Sequence, residues 1–236
     1  MTGKWIQVQA HDGGKFGAYL ALPPEGPNTK TGPGIVLMQE IWGVNAHIRT
    51  VAEQYANDGY VVLAPDIFWR QQPKIDLAYN ENDTKKAFGF MQALDQPNAV
   101  KDIASTVAAL RAMREVKGGI ASLGYCMGGR LAYLAAADAG ADAAICYYPG
   151  GIAQCLDRAA TIKAPLLFHF AEKDGFIPAE AVEAVKKTFR DRDNSCVDTY
   201  PGVDHGFNCW GRPNYHQRSA ALAHGRSLAF LATHLG

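Results

Sequence analysis

The stretch S-L-G-Y-C-M-G-G-R-L-A-Y-L-A-A-A-D-A-G, residues 122–140, decides the architecture. Its apolar opening reads as the end of a buried strand and its alanine-rich continuation as a helix. Cys126 stands at the junction, with Gly124 and Gly128 two positions away on either side. A sharp strand-to-helix turn lifts its central side chain above a sheet. It also brings the flanking residues against neighbouring backbone, where a side chain would clash and glycine does not. G-Y-C-M-G is therefore the nucleophile elbow more often written G-x-S-x-G, with a thiol in place of the hydroxyl. The start of the following helix directs unpaired N–H groups and about half a positive charge toward the sulfur, which favours its reactive anionic form. The competing reading is a small buried cysteine between packing glycines. Phosphate binding is disfavoured, because Gly124, Gly128 and Gly129 match neither G-x-G-x-x-G nor a Walker loop.

Outward from this turn, strands and helices alternate. Ile6, Val8 and Ala10, then Phe16, Ala18 and Leu20, alternate on either side of H-D-G-G-K, a hairpin signal. A Pro/Gly/Thr-rich loop, residues 23–34, leads to the short apolar run G-I-V-L-M-Q-E. Asn45 caps a predicted helix that Gly59 ends, and Y-V-V-L-A-P-D is the next strand. Residues 67–82 read as an irregular excursion, after which Asp83 or Thr84 opens a helix through Leu94. Further helices are predicted over 99–114, 127–139, 178–190 and 214–235, and further strands at 119–125, 142–150, 164–170 and 196–201. This order implies an α/β protein: a mostly parallel central sheet entered by an antiparallel hairpin, with helices on both faces. Residues 1–236 contain no repeat or linker and read as a single domain.

On such a sheet a nucleophile after a central strand is followed by an acid after a later strand and then by a histidine. A-P-L-L-F-H-F-A-E-K-D-G supplies Asp174, and T-Y-P-G-V-D-H-G-F supplies His205. The histidine serves as base and then acid, and the carboxylate orients it. Glu172 and Asp204 compete as the acid. His169 reads as a core histidine, whereas His11, His47, His216, His224 and His234 fall in turns or on helices and read as solvated. L-M-Q-E-I-W-G-V-N places Glu40 just past a central strand, where the backbone N–H groups of Ile41 and Met127 converge on a developing oxyanion. Glu40 itself, buried near the thiol, would hold it neutral or accept its proton.

Composition narrows the partners. Lysine plus arginine (23) equals aspartate plus glutamate (23), so no broad positive field exists for nucleic acid or anionic lipid. The five scattered cysteines include no C-x-x-C pair, a pattern of a reduced cytoplasmic protein without a disulfide framework or zinc site. Cys209, four residues after His205, resembles half of a metal site, but no second cluster completes it along the chain. The N-terminal segment M-T-G-K-W-I-Q-V-Q-A-H-D-G-G has no apolar run of signal-peptide length, and no stretch approaches the roughly 20 residues of a membrane span. The expectation is a cytoplasmic protein, monomeric or a small homo-oligomer, with no cofactor, metal, nucleic acid or membrane.

Taken together, Q-E-I-W-G-V-N (39–45), G-Y-C-M-G-G (124–129), the Asp174 loop, D-H-G-F (204–207) and the closing helix resemble the dienelactone hydrolase, or carboxymethylenebutenolidase, family over essentially the whole chain. The resemblance implies an α/β-hydrolase fold with a Cys126, His205 and Asp174 triad. It also implies a resting thiol tied to Glu40, and a substrate that shifts the glutamate so that it takes the proton. The freed sulfur then attacks a lactone carbonyl, and the ring-opened enolate helps expel itself from the acyl-enzyme. The chain departs from the family where substrate is gripped. Cys209 stands where an arginine holds the substrate carboxylate, Thr84, Lys85 and Lys86 replace another arginine, and Phe88 replaces a tyrosine. Arg70, Lys85 and Arg212 are the cations available to substitute, with Trp42, Phe88 and Phe207 as apolar walls. Two alternatives remain: hydrolysis or transfer on another small ester, and a non-catalytic binder of a hydrophobic ligand using Trp42, Phe68, Trp69, Phe88 and Phe207.

Overall fold

A computed structural model describes residues 3–24, 26 and 31–236. Part of the Pro/Gly/Thr-rich loop, residues 25 and 27–30, lies outside the described residues. The hairpin forms as its alternation predicts: β1 (Lys4–Gln9) pairs antiparallel with β2 (Lys15–Ala21), and Phe16, Ala18 and Leu20 turn inward. It joins β3 (Gly32–Met38), β4 (Val61–Pro65), β5 (Val116–Tyr125), β6 (Ala143–Tyr147), β7 (Leu166–Ala171) and β8 (Ser195–Tyr200) in one sheet of order β1-β2-β4-β3-β5-β6-β7-β8. From β4 to β8 every neighbouring pair is parallel. Every residue of β4, β6 and β7 is buried, as parallel strands covered on both faces require.

This order contains the reversal that creates a crevice. From β3 the chain passes through α1 (Ala46–Asn57) to β4 on one side, whereas β5 lies on the other side of β3 and the later strands continue outward from it. Ligand sites in open α/β sheets form at such switch points, beyond the carboxyl ends of the strands. The register aligns those ends. Met38 on β3 lies opposite Gly124 on β5, so Glu40 and Cys126 each follow two residues later.

Helix boundaries follow local capping. Asn45 accepts from the Ile48 N–H at 3.2 Å, as its position suggests. The next helix, α2 (Glu81–Gln92), starts earlier than Asp83 or Thr84, because Asn80 is the cap and accepts from the Asp83 N–H at 2.9 Å. Asp95 caps α3 (Gln96–Arg111), with Pro97 in its first turn, which moves that helix forward from 99–114. The elbow helix is α4 (Met127–Asp138), followed later by α5 (Ala179–Phe189) and α6 (Gln217–His234). A 3-10 segment, Ile152–Thr161, lies between β6 and β7 where the sequence reading placed no element. No helix of the described residues is long and apolar enough to cross a membrane.

A polar chain runs through the core around His169. His169 on β7 is fully buried, with Nδ1 2.9 Å from the Tyr200 hydroxyl and Nε2 3.0 Å from Ser227 Oγ, which in turn meets the Tyr147 hydroxyl at 2.8 Å. It is the core histidine that its apolar setting predicts. Burial, with Arg226 adding to the effect, pushes His169 down to about 3, so it is neutral in the fold. The unfolded chain takes up a proton near pH 6.5, and stability is therefore lost as pH falls below that value. This residue alone accounts for about 2 kcal/mol between roughly pH 7 and pH 5. Urea unfolding at the two pH values, compared with His169→Gln, checks this: the variant loses less of its stability on acidification.

Candidate active site

Cys126 occupies a backbone conformation that side chains rarely adopt, with φ 57° and ψ −117°. The surrounding hydrogen bonds hold it there. Its N–H donates to the Tyr147 carbonyl at 3.0 Å, and its own carbonyl accepts from Gly129, Gly150 and Arg130 at 3.0, 3.2 and 3.3 Å. Such a residue costs of order 1–3 kcal/mol, which the rest of the fold offsets. The flanking glycines are required by close approach. A Cβ on Gly124 would overlap the Gly128 carbonyl, and one on Gly128 would overlap the Gln39 carbonyl and lie 2.6 Å from that of Met38. Met127 opens α4, where the first N–H groups have no intrahelical partner, and Met127 and Ile41 line the same cavity as Cys126.

The loops after β7 and β8 bring Asp174 and His205 to that crevice. Asp174 Oδ2 accepts from His205 Nδ1 at 2.8 Å, with both side chains nearly inaccessible to solvent. Asp174 Oδ1 accepts from the Phe176 and Ile177 N–H groups at 2.8 and 3.0 Å, which fixes the carboxylate. The rival acids are committed elsewhere. Glu172 accepts from the Gly202 N–H at 2.7 Å, and Asp204 Oδ1 accepts from the His205 N–H at 2.6 Å. His205 Nε2 is buried and has no hydrogen-bond partner. Burial opposes charge on this imidazole, but the Cys126 sulfur and the Asp174 carboxylate outweigh it and push His205 up to about 10.

Glu40 is 1% exposed, and burial pushes its carboxyl up, against the opposing charges of Arg212 and His205. Its Oε1 accepts from Arg212 Nη1 at 3.2 Å, while Oε2 is buried without a partner. His47 is buried rather than solvated, correcting the sequence reading. Both its ring nitrogens lack partners, Trp210 packs edge-on at 4.3 Å, and burial with Arg212 pushes it down to about 4. Burial and Glu40 push the Cys209 thiol up to about 12. Glu40, His47 and Cys209 each present one possible metal-ligand atom, all within 4.8 Å of one another, so the fold completes a cluster that is dispersed along the chain. The Arg212 guanidinium already balances Glu40 there.

Cys126 and His205 share a cavity of about 220 Å³. Of the expected substrate contacts, Trp42, Phe88 and Arg212 line it, with Arg212 stacked over the Trp42 ring at 5.1 Å. Three others do not reach it. Arg70 donates to Asp102 through Nε and Nη2, both at 2.8 Å, and to Asp12 at 2.6 Å, which ties it to the hairpin side. Lys85 is exposed on α2 and pairs with Glu81 at 2.7 Å. Phe207 is fully buried against Tyr148 and Tyr200. The aromatic mouth is also smaller than expected, because Phe68 stacks on Phe90 and Trp69 on Phe16. Sequence reasoning missed Arg130, Met91, Phe176 and the Gly150–Gly151 wall. Arg130 follows Cys126 by four residues, so helical spacing alone could have indicated it.

A parallel sheet with its elbow cysteine at the switch point, and a histidine–aspartate pair on later loops, defines an α/β-hydrolase. The sequence pattern of the dienelactone hydrolase family matches residues 16–235, and the chain belongs to that family. An Azospirillum brasilense protein assigned as a carboxymethylenebutenolidase is 37% identical over 235 residues, 98% of this chain and 99% of that one. The carboxymethylenebutenolidase of Pseudomonas sp. strain P51 is 33% identical over 98% of this chain and 95% of its own. A crystal structure from Klebsiella pneumoniae, assigned as a dienelactone hydrolase, superposes with a TM-score of 0.83 at 25% identity, covering 98% of each chain. The protein is a hydrolase of the dienelactone hydrolase type.

Two outcomes follow from this packing. Gly128→Ala forces its methyl group into the Met38 and Gln39 carbonyls and lowers stability by about 1–3 kcal/mol, measurable by denaturant unfolding. Arg212→Met removes the cation opposing the burial of Glu40, which then takes up a proton. A protonated-carboxyl band in the infrared spectrum near neutral pH, absent from Glu40→Gln/Arg212→Met, reports it.

Proposed function

We propose that this protein hydrolyses a small lactone or activated ester through a covalent intermediate on Cys126. The observation that supports this best is the elbow sulfur sharing one cavity with an imidazole whose far nitrogen is held by Asp174 at 2.8 Å. Relatives named carboxymethylenebutenolidase favour a lactone, and the cavity of about 220 Å³ suits a small substrate.

The sulfur of Cys126 attacks the carbonyl carbon, and the carbonyl electrons move to oxygen, where the N–H groups of Ile41 and Met127 receive the charge. The carbon–oxygen bond of the ester then breaks, and protonated His205 gives its Nε2 proton to the departing alkoxide; in a lactone this oxygen stays attached through the opened ring. Water enters, His205 takes one of its protons, and the hydroxide adds to the thioester carbon. Collapse releases the carboxylic acid and returns the sulfur. Asp174 holds Nδ1 throughout, so that Nε2 is the nitrogen that exchanges protons. Glu40 takes the thiol proton when substrate disturbs its contact with Arg212, and gives it back to the sulfur once the product has left.

Cys126→Ala abolishes turnover of 4-nitrophenyl acetate while the melting temperature stays close to that of the wild type. Intact-mass spectrometry of the wild type, quenched in acid during turnover, shows one acyl group, which the variant lacks. Retained turnover in Cys126→Ala defeats the reading.

A further inference from the structure

Three side chains that carry or can carry positive charge line the reaction cavity, and two of them have anionic partners. His205 is bonded to Asp174 and Arg212 to Glu40. Arg130 is the third. It lies one turn into α4, with its N–H 3.3 Å from the Cys126 carbonyl. Its guanidinium packs on Gly151 so closely that a Cβ there would overlap Nη1. Its Nε is fully buried without a partner, and among the described residues the side chain makes no hydrogen bond or ion pair. A guanidinium cannot shed its charge, and a largely enclosed cation without an anion is costly. An anionic ligand removes that cost.

The wall that carries Arg130 also carries the reacting centre. A Cβ on Gly150 would lie 3.9 Å from the Cys126 sulfur, and the next residue, Gly151, is the one on which the guanidinium rests. A molecule whose carbonyl meets the sulfur therefore extends along Gly150 and Gly151 to Arg130 within a few bonds. Of the remaining lining residues, Ile41, Trp42, Phe88, Met91 and Phe176 are apolar and offer no anion to Arg130.

We propose that Arg130 is an anion anchor, binding a carboxylate on the acyl side of the substrate a few bonds from the carbonyl that Cys126 attacks. This rests on the reading of Cys126 as the nucleophile. The guanidinium pairs with both carboxylate oxygens, a geometry that an ammonium group reproduces only in part.

The test compares 4-nitrophenyl hydrogen glutarate with 4-nitrophenyl valerate, acyl chains of equal length with and without the terminal carboxylate. Arg130→Gln lowers kcat/KM for the glutarate about 10–100-fold more than for the valerate, mainly through KM, and Arg130→Lys recovers part of that difference. In a Cys126→Ala background, calorimetric binding of the glutarate weakens by a similar factor when Arg130→Gln is added. Equal losses for both esters, or an unchanged glutarate preference with unchanged binding, overturn the anchor. Hydrolysis that persists in Cys126→Ala defeats the nucleophile assignment instead, while the binding comparison, repeated with a slowly reacting amide analogue, still judges Arg130.

Discussion

The close approach of three backbone segments around Cys126 is the constraint on which the site depends. The end of β3, the elbow and the first turn of α4 are packed so tightly that Gly124 and Gly128 have no room for a side chain. That compression holds a cysteine at positive φ and raises its sulfur above the sheet at the switch point. It also sets the distance between the candidate oxyanion donors, because Ile41 follows β3 and Met127 opens α4. The same packing that stabilises the centre of the sheet thus shapes its reactive edge.

Around the sulfur, buried charges are arranged in pairs with different surroundings. Asp174 and His205 form a short bond whose carboxylate is also held by two backbone N–H groups, a rigid arrangement suited to orienting a proton carrier. Glu40 and Arg212 form a longer contact, and one glutamate oxygen has no partner. Beside them His47 and Cys209 are kept neutral by burial. A carboxyl raised by burial and restrained by one arginine is sensitive to small changes in its environment.

The walls of the cavity differ from what the motifs alone imply. Position 209 holds a cysteine directed at Glu40 and His47, and the charge at that end comes from Arg212, three residues later. Arg130, which lines the same cavity, has no anionic partner among the described residues. Phe176, 63% exposed yet packed edge-on against His205 at 5.1 Å, closes part of the mouth over the histidine–aspartate pair.

The sequence by itself determined the order of elements, because hydrophobic period and capping chemistry are local: Asn45 caps α1 and the fully buried strands read as apolar runs. Where a nearer cap competed, as Asn80 did with Asp83, the boundary moved. It also determined the chain order of Cys126, Asp174 and His205, since each lies just beyond a recognisable strand. Only the tertiary structure decided which long or polar side chains meet. Arg70 finds Asp102 and Asp12, and Arg212 finds Glu40, 172 residues away in sequence. His47, read as solvated, is enclosed between Trp210 and Tyr79. An arginine side chain spans several ångströms, and its partner is set by charges converging through space, which neither residue spacing nor local period records.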